Sequence, residues 1–555
     1  MEDTNAVEYF LESARRFPDR PALWVDGRTY SYRALESHAR RLADRLAAVD
    51  GAVCATLGER SLTAYCAPLA CMLAGKIHVP LGTSFPEARM AGILERTRPS
   101  VLICDENGLS LVPGLIAGLG FPLVVLTAGA SADHAEDFDA AASPKADAAE
   151  ARQRMAVGDA DDAGSGLAVD DARIAYLLFT SGSTGAPKGV AVGHAALRAY
   201  VDAVVARYPE LDEHQRCSQF FEPTFDLSMH DMFVTWAVGA CLYSVPRSAL
   251  LLPTDFVNEH RLTVWFSVPS MAATLQRYRL LNPGVLTAVK LALFCGEALP
   301  GPLAAAWMAA APNARSENLY GPTEATIACT AYRIQEEDRE RAVIPIGEAF
   351  PAMDIAVVRE DGTRCAADEV GELWLGGAQL AFGYWRDPIQ TAARFVDVRF
   401  DDLVSARWYR TGDLATIDSA GVAHFRGRAD RQVKLRGYRI ELQEVEAHLR
   451  EICSSADRAV EVAVVAISAR SGEAASGIAA FVVDPDLDTR VALAAMKLRL
   501  PAYMVPSEIH RVDALPLNNN GKIDYPALAD RVRPPERVPR AKRNATIEDG
   551  MEYAR

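Results

Sequence analysis

Tyr176–His194 reads YLLFTSGSTGAPKGVAVGH. An apolar run feeds a segment rich in glycine, serine and threonine that carries Lys188, and a second apolar run follows. "RIAYLLFT" has the length and content of a buried strand, and "VAVGH" reads as a short strand ahead of the helical pattern "AALRAYVDAVVARY". A loop between two strands that carries many backbone N–H groups and hydroxyls can fold around an anion. Gly182, Gly185 and Gly189 let the backbone approach closely, and Lys188 adds a point charge. The P-loop pattern G-x-x-x-x-G-K-[ST] does not fit, because Pro187 interrupts the segment and Gly189 follows Lys188. Taken alone, the loop is equally well a flexible Gly/Ser turn.

Working outward, 555 residues exceed one compact core, so two or more domains are expected. A net charge of −15 argues against a broad basic face for nucleic acid. The ten cysteines form no C-x-x-C pair and no Cys/His cluster with metal-ligand spacing. The N-terminal "MEDTNAVEYFLESARRF" has no apolar signal core, and no apolar run reaches the roughly 18 residues of a membrane span. The expectation is a cytoplasmic protein with reduced thiols and no membrane or nucleic-acid partner.

Up to about Leu126, helical and strand patterns alternate in the rhythm of an α/β domain: "ALESHARRLADRLAA" is helical, while "PSVLICD" and "FPLVVLT" are short buried strands. Residues 128–171 shift to Ala, Asp, Glu, Ser and Gly, which bury little, and read as a surface connection. After Asp430 a second α/β pattern of about 100 residues begins with the amphipathic "IELQEVEAHLREI" and the strands "AVEVAVVAIS" and "IAAFVV". Residues 533–555, Pro-rich and basic and then acidic, read as a disordered tail.

Further loops follow the first. "NLYGPTEATIACT" starts at Asn318, "YRTGDLA" at Tyr409, the cation-dense "GRADRQVKLRGYRIE" at Gly427, and "LPLNNNGKID" at Leu515. Each alone is weak, since TGD is usually a turn and NGK usually a hairpin tip. Together with "FDLSMHDMF" and "GELWLGGAQLAFGYW" they form an ordered set. On these markers the chain resembles the adenylate-forming enzymes, and most closely the amino-acid adenylation domains of nonribosomal peptide synthesis, from about residue 5 to residue 530.

The resemblance implies an α/β architecture: a large N-terminal adenylate-forming domain of layered sheets and helices (1–429) and a small mobile C-terminal α/β domain (430–532), with Asp430 at the hinge. It implies ATP and Mg²⁺, and two half-reactions. A carboxylate first attacks ATP to give an acyl-adenylate and pyrophosphate, and the acyl group then passes to a thiol. Joining two anions demands cations and oriented donors. Thr180, Ser181, Gly182, Ser183, Thr184 and Lys188 are expected on the β- and γ-phosphates and Thr323 on the α-phosphate. Gly296, Asn318, Tyr320, Asp413 and Arg428 are expected around adenine and ribose. Glu324 is the expected Mg²⁺ ligand, since this ion takes carboxylate and phosphate oxygens together. Lys522 is the expected catalytic residue of adenylation; Lys434, with Arg436 and Gly437, belongs to the thioester-forming state. A solvated charged loop is the other reading of Arg436.

Asp226 stands where amino-acid-activating relatives bind the α-ammonium; a buried carboxylate needs such a partner, although an aspartate there also suits a helix cap. The pocket wall is expected at Leu227, His230, Phe266 and Leu293, and at Cys295, Leu319, Ile327 and Ala328. The bulk of Phe266 points to a small side chain: Ala, Ser, Cys, 2-aminobutyrate or D-Ala. His230 either bonds a substrate hydroxyl or only lines the wall. No carrier-like Gly-Gly-x-Ser segment follows Lys522, so the expectation is a stand-alone enzyme that loads a phosphopantetheinylated carrier protein in trans. Two other readings stand beside it: an acyl- or aryl-CoA ligase of the same fold, against which Asp226 and "NNNGKID" argue, and an inactive nucleotide-binding scaffold, against which intact Lys188, Glu324, Asp413 and Lys522 argue.

Overall fold

The computed structural model describes residues 5–128, 138–141, 170–182, 187–454, 460–467, 475–518 and 522–533. The tail after residue 533 and most of segment 128–171 lie outside the described residues. The described strands form five sheets.

The largest sheet has nine strands, and its centre is parallel: Cys241–Ser244, Arg216–Gln219, Val264–Ser267, Leu291–Phe294 and Arg315–Tyr320 lie side by side. A second sheet of eight strands contains Val53–Leu57, Ile77–Leu81, Val101–Cys104 and Ile174–Thr180 in parallel, with Lys188–Gly193 antiparallel at the phosphate-loop hairpin. Central strands such as Val101–Cys104 and Leu291–Phe294 are continuous apolar runs because both faces are covered, whereas Arg216–Gln219 and Arg315–Tyr320 carry polar residues. One apolar cluster takes side chains from both sheets and from the helices Tyr32–Ala47, Leu62–Leu73, His194–Arg207 and Leu227–Ala237. Leu227 through Trp236 are all buried, which is why that helix shows no polar face in the sequence. No described helix is long and apolar enough to cross a membrane.

A third, five-stranded sheet holds Gly371–Gly377, Arg407–Ile417 and Ala423–Arg428. The TGD segment is therefore not a turn but the middle of an 11-residue strand. Gly412 has a φ of +72°, and a Cβ there would lie 2.9 Å from Arg428 Nη2 and from Asp430 Oδ2. Glycine lets the strand deform and turn Asp413 to the site.

These three sheets take all their described strands from before Asp430, and two small ones take theirs from after it. The helix Leu442–Cys453 buries Leu442, Val445 and Leu449 on the strands Val462–Ile467 and Gly477–Val482. The cation-dense stretch read above as a loop is a hairpin, Gln432–Leu435 paired with Tyr438–Glu441. Its two turn residues, Arg436 and Gly437, both have positive φ (52° and 82°), the geometry that matches the twist of two-residue hairpins.

Candidate active site

The parallel strands of the nine-stranded sheet end together, and chain segments leaving their carboxyl ends build the cleft, as open α/β sheets do. The loop after Arg216–Gln219 brings Asp226, Leu291–Phe294 leads to Cys295 and Gly296, and Arg315–Tyr320 carries Asn318 and Tyr320. Thr323 and Glu324 follow on a short 3-10 turn. Thr326 and Ile327, both β-branched, then take left-handed φ values of 52° and 74°. Such strained backbone is characteristic of functional sites. A cavity of about 50 Å³ lies here, lined by Asp226, Leu227, Cys295, Thr323, Ile327 and Asp413. Lys434, Gly437 and Arg439 of the hairpin close its other side, so the hairpin is seated in the cleft.

Asp226 is buried at the N-cap position of Leu227–Ala237, yet its side chain makes no cap bond. Burial pushes its carboxyl up to about 6, against the Thr323 hydroxyl bond and the Lys434 charge. The carboxylate lines the cavity, facing Thr323 and Lys434, and also lies against the backbone N–H of Leu227.

Glu324 is completely buried. Its Oε1 accepts the Tyr384 hydroxyl at 2.9 Å and lies 3.7 Å from Lys188 Nζ; its Oε2 accepts Arg439 Nη1 at 2.8 Å. Burial alone would raise the carboxyl, but the Arg439 and Lys188 charges hold it near 2. Burial pushes the Lys188 ammonium down to about 8, with Glu324 opposing. An ionised, hard oxygen donor beside the phosphate-loop lysine suits a Mg²⁺ ion shared with phosphate oxygens.

Where the nucleoside is expected, Asp413 Oδ2 accepts the Tyr320 hydroxyl at 2.5 Å, and Oδ1 accepts Arg428 Nη1. Arg428 also pairs with Asp430 at 2.7 Å, tying the residue at the expected hinge to Asp413. Asn318 uses its amide NH₂ on Pro345 O at 2.8 Å, and its Oδ1 is buried with no partner among the described residues, an acceptor suited to an exocyclic amine. Gly296 lines the same cavity.

In the Gly/Ser/Thr-rich loop, Thr180 Oγ1 is buried with no hydrogen-bond partner among the described residues. Ser181 Oγ donates to Arg439 O at 2.7 Å and accepts Glu441 N–H at 3.1 Å. Gly182 N–H donates to Glu444 Oε2 at 3.0 Å. Ser183 and Thr184 lie outside the described residues.

The expected wall residues Leu227, His230, Phe266, Leu293, Cys295, Leu319, Ile327 and Ala328 are all buried. Leu227, Cys295 and Ile327 line the cavity; His230 and Leu293 line a second space of about 10 Å³ with Asp231. Phe266, Leu319 and Ala328 line neither. His230 Nδ1 is 2.7 Å from Tyr200 Oη, its ring lies 4.2 Å from that of Phe266, and burial pushes the imidazole down to about 3. His230 thus lines that second space rather than the cavity.

Lys434 lies 5.5 Å from the Tyr320 ring centre. Arg436 is exposed at the hairpin tip. Lys522 is not brought to the cavity: it is exposed, on a turn where its N–H bonds Asn518 Oδ1 at 3.1 Å. Four residues that the sequence did not single out complete the arrangement. Arg439 and Tyr384 hold Glu324, while Glu297 accepts Gly437 N–H at 2.7 Å. Tyr200 positions His230. Arg439 and Tyr384 lie inside "QVKLRGYRIE" and "GELWLGGAQLAFGYW", so the signal was present without a role attached to it.

The fold and the cleft define an adenylate-forming enzyme, and the comparisons agree. Residues 10–385 match the family model of the AMP-binding enzyme, and residues 449–522 that of the AMP-binding enzyme C-terminal domain. The chain belongs to this family. It is 34% identical over 533 residues to phosphinothricin tripeptide synthetase PhsC of Streptomyces viridochromogenes, covering 94% of this chain and 44% of that protein. It is 30% identical over 538 residues to L-proline--[L-prolyl-carrier protein] ligase of Pseudomonas fluorescens, covering 95% and 99%. The chain thus spans less than half of the synthetase and nearly all of the ligase. Among solved structures, the Vibrio cholerae adenylation domain AlmE in complex with glycyl-adenosine-5'-phosphate superposes with a TM-score of 0.79 at 31% identity, covering 95% of this chain and 97% of that one.

Proposed function

We propose that the chain activates a small amino acid with ATP as its aminoacyl-adenylate, then passes the aminoacyl group to the phosphopantetheine thiol of a carrier protein supplied in trans, in the cytoplasm. Asp226 carries this reading. A buried carboxylate turned to the cavity and pushed up to about 6 gains most from a substrate ammonium beside it. A fatty or aryl acid offers no such partner. The ligase relative acts on proline and its carrier protein, and AlmE was solved with a glycyl adenylate. Both support an amino acid and a carrier here. The cavity beside Asp226 holds only about 50 Å³, which favours a small side chain such as that of Ala, Ser, Cys, 2-aminobutyrate or D-Ala.

In the first half-reaction the substrate carboxylate attacks the α-phosphorus and pyrophosphate leaves. Lys188 and the donors of residues 180–184 are assigned to the β- and γ-phosphates, Thr323 to the α-phosphate, and Asn318, Tyr320, Asp413 and Arg428 to the nucleoside. Glu324 would hold Mg²⁺, which would neutralise phosphate charge. Lys522 is assigned the bridge between the substrate carboxylate and the α-phosphate. It lies outside the cleft while the hairpin is seated, so the part after Asp430 must rotate between the half-reactions. The seated hairpin, with Lys434, Gly437 and Arg439 in the cleft, is assigned to thiol transfer. The direct test compares an amino acid with its des-amino acid in wild type and Asp226→Ala. Adenylate formation should favour the amino acid in wild type and lose that preference in the variant. Equal use of both acids by wild type would refute the reading.

A further inference from the structure

The interdomain contact carries more than shape. Arg89, on the helix Glu87–Thr97, donates to Glu444 Oε1 at 3.0 Å, across 355 residues of sequence. The two side chains are 4% and 0% exposed. The other oxygen of Glu444 accepts the backbone N–H of Gly182 in the phosphate loop. The neighbouring Ser181 hydroxyl bridges Arg439 O and Glu441 N–H. A carboxylate on a backbone N–H of an anion loop stands where an anionic phosphate oxygen would bond.

Resting on the reading above, we propose that Glu444, oriented by Arg89, is a positioning residue for the second half-reaction. It latches the C-terminal part onto the phosphate loop by taking a donor assigned to the triphosphate. Docking and phosphate binding then exclude one another: the hairpin seats fully only after pyrophosphate has left, and bound ATP keeps the latch open. The pair is buried and its partners are specific, so removing one member leaves the other uncompensated and opens the latch.

The test uses full-length wild type, Glu444→Gln and Arg89→Met, with Arg89→Lys as the conservative control and thermal melting to confirm folding. MgATP and inorganic pyrophosphate are titrated without any amino acid. Because undocking taxes phosphate binding, both ligands should bind roughly three- to tenfold tighter to Glu444→Gln and Arg89→Met, with Arg89→Lys in between. Single-turnover transfer from preformed aminoacyl-adenylate to a holo carrier should slow in the same two variants and become more sensitive to added pyrophosphate. A merely structural role would weaken phosphate binding along with everything else. Unchanged or weaker binding of both phosphate ligands by folded Glu444→Gln and Arg89→Met would overturn the proposal. The titrations need no acyl substrate, so they decide the latch even if the amino-acid reading fails, which would show separately as no transfer by wild type.

Discussion

The site depends on a few charges whose values are set by burial. In the role proposed for it, Asp226 can hold an ammonium only when ionised, and burial pushes its carboxyl up to about 6. As pH falls through that value the carboxyl takes up a proton, so KM for the amino acid should rise by about tenfold per pH unit below 6 and stay level above 7, measured by initial rates of adenylate formation. The sign for stability is opposite. A folded value above the unfolded one stabilises the empty protein at acid pH, and that contribution is lost as pH rises from about 4 through 6. Lys522→Ala should lower adenylate formation by at least about a hundredfold, while transfer from preformed adenylate is retained. Equal loss in both steps would place Lys522 outside the assigned role. Residues whose chemistry is local, such as Asp226, Glu324 and Asp413, were legible in the sequence from their motifs. Tyr200 and Arg89 were not, because each acts through a partner 30 or 355 positions away.

Among elements, the hairpin Gln432–Glu441 closes one side of the cavity. Gly437 has a φ of +82°, and a Cβ there would lie 2.5 Å from Val268 Cγ1. Gly437→Ala should slow thiol transfer much more than adenylation, because only the seated state brings this residue against Val268; single-turnover assays of each step separate the two. Its strands were read as a loop because the charged residues dominate the pattern and only Val433, Leu435 and Ile440 are apolar enough to mark an inner face. The TGD strand was hidden for a related reason: a glycine bulge inside a strand looks like a turn when pairing partners are unknown. By contrast, the strands Val101–Cys104, Val124–Ala128 and Ile174–Thr180 and the helix Tyr32–Ala47 were legible, since periodicity and burial point the same way there.

For the whole molecule, the proposed function requires two states of the part after Asp430: the one seen here seats the hairpin, and the other would bring Lys522 to the cleft. With MgATP and the cognate amino acid present, hydrogen exchange should speed up across Gln432–Glu441 and slow around Lys522; no change in either segment would contradict the rotation. The layered α/β fold and its division near Asp430 could be read from alternating patterns. Which state the chain rests in could not, because that depends on contacts such as Glu444 with Gly182 that link distant segments. The central claim is amino-acid activation, and exchange of labelled pyrophosphate into ATP tests it most directly, across the standard amino acids together with D-Ala, β-alanine and 2-aminobutyrate. Exchange above background with a small amino acid, lost in Asp226→Ala, is the expected result. No exchange with any amino acid, but exchange with fatty or aryl acids, would contradict the claim.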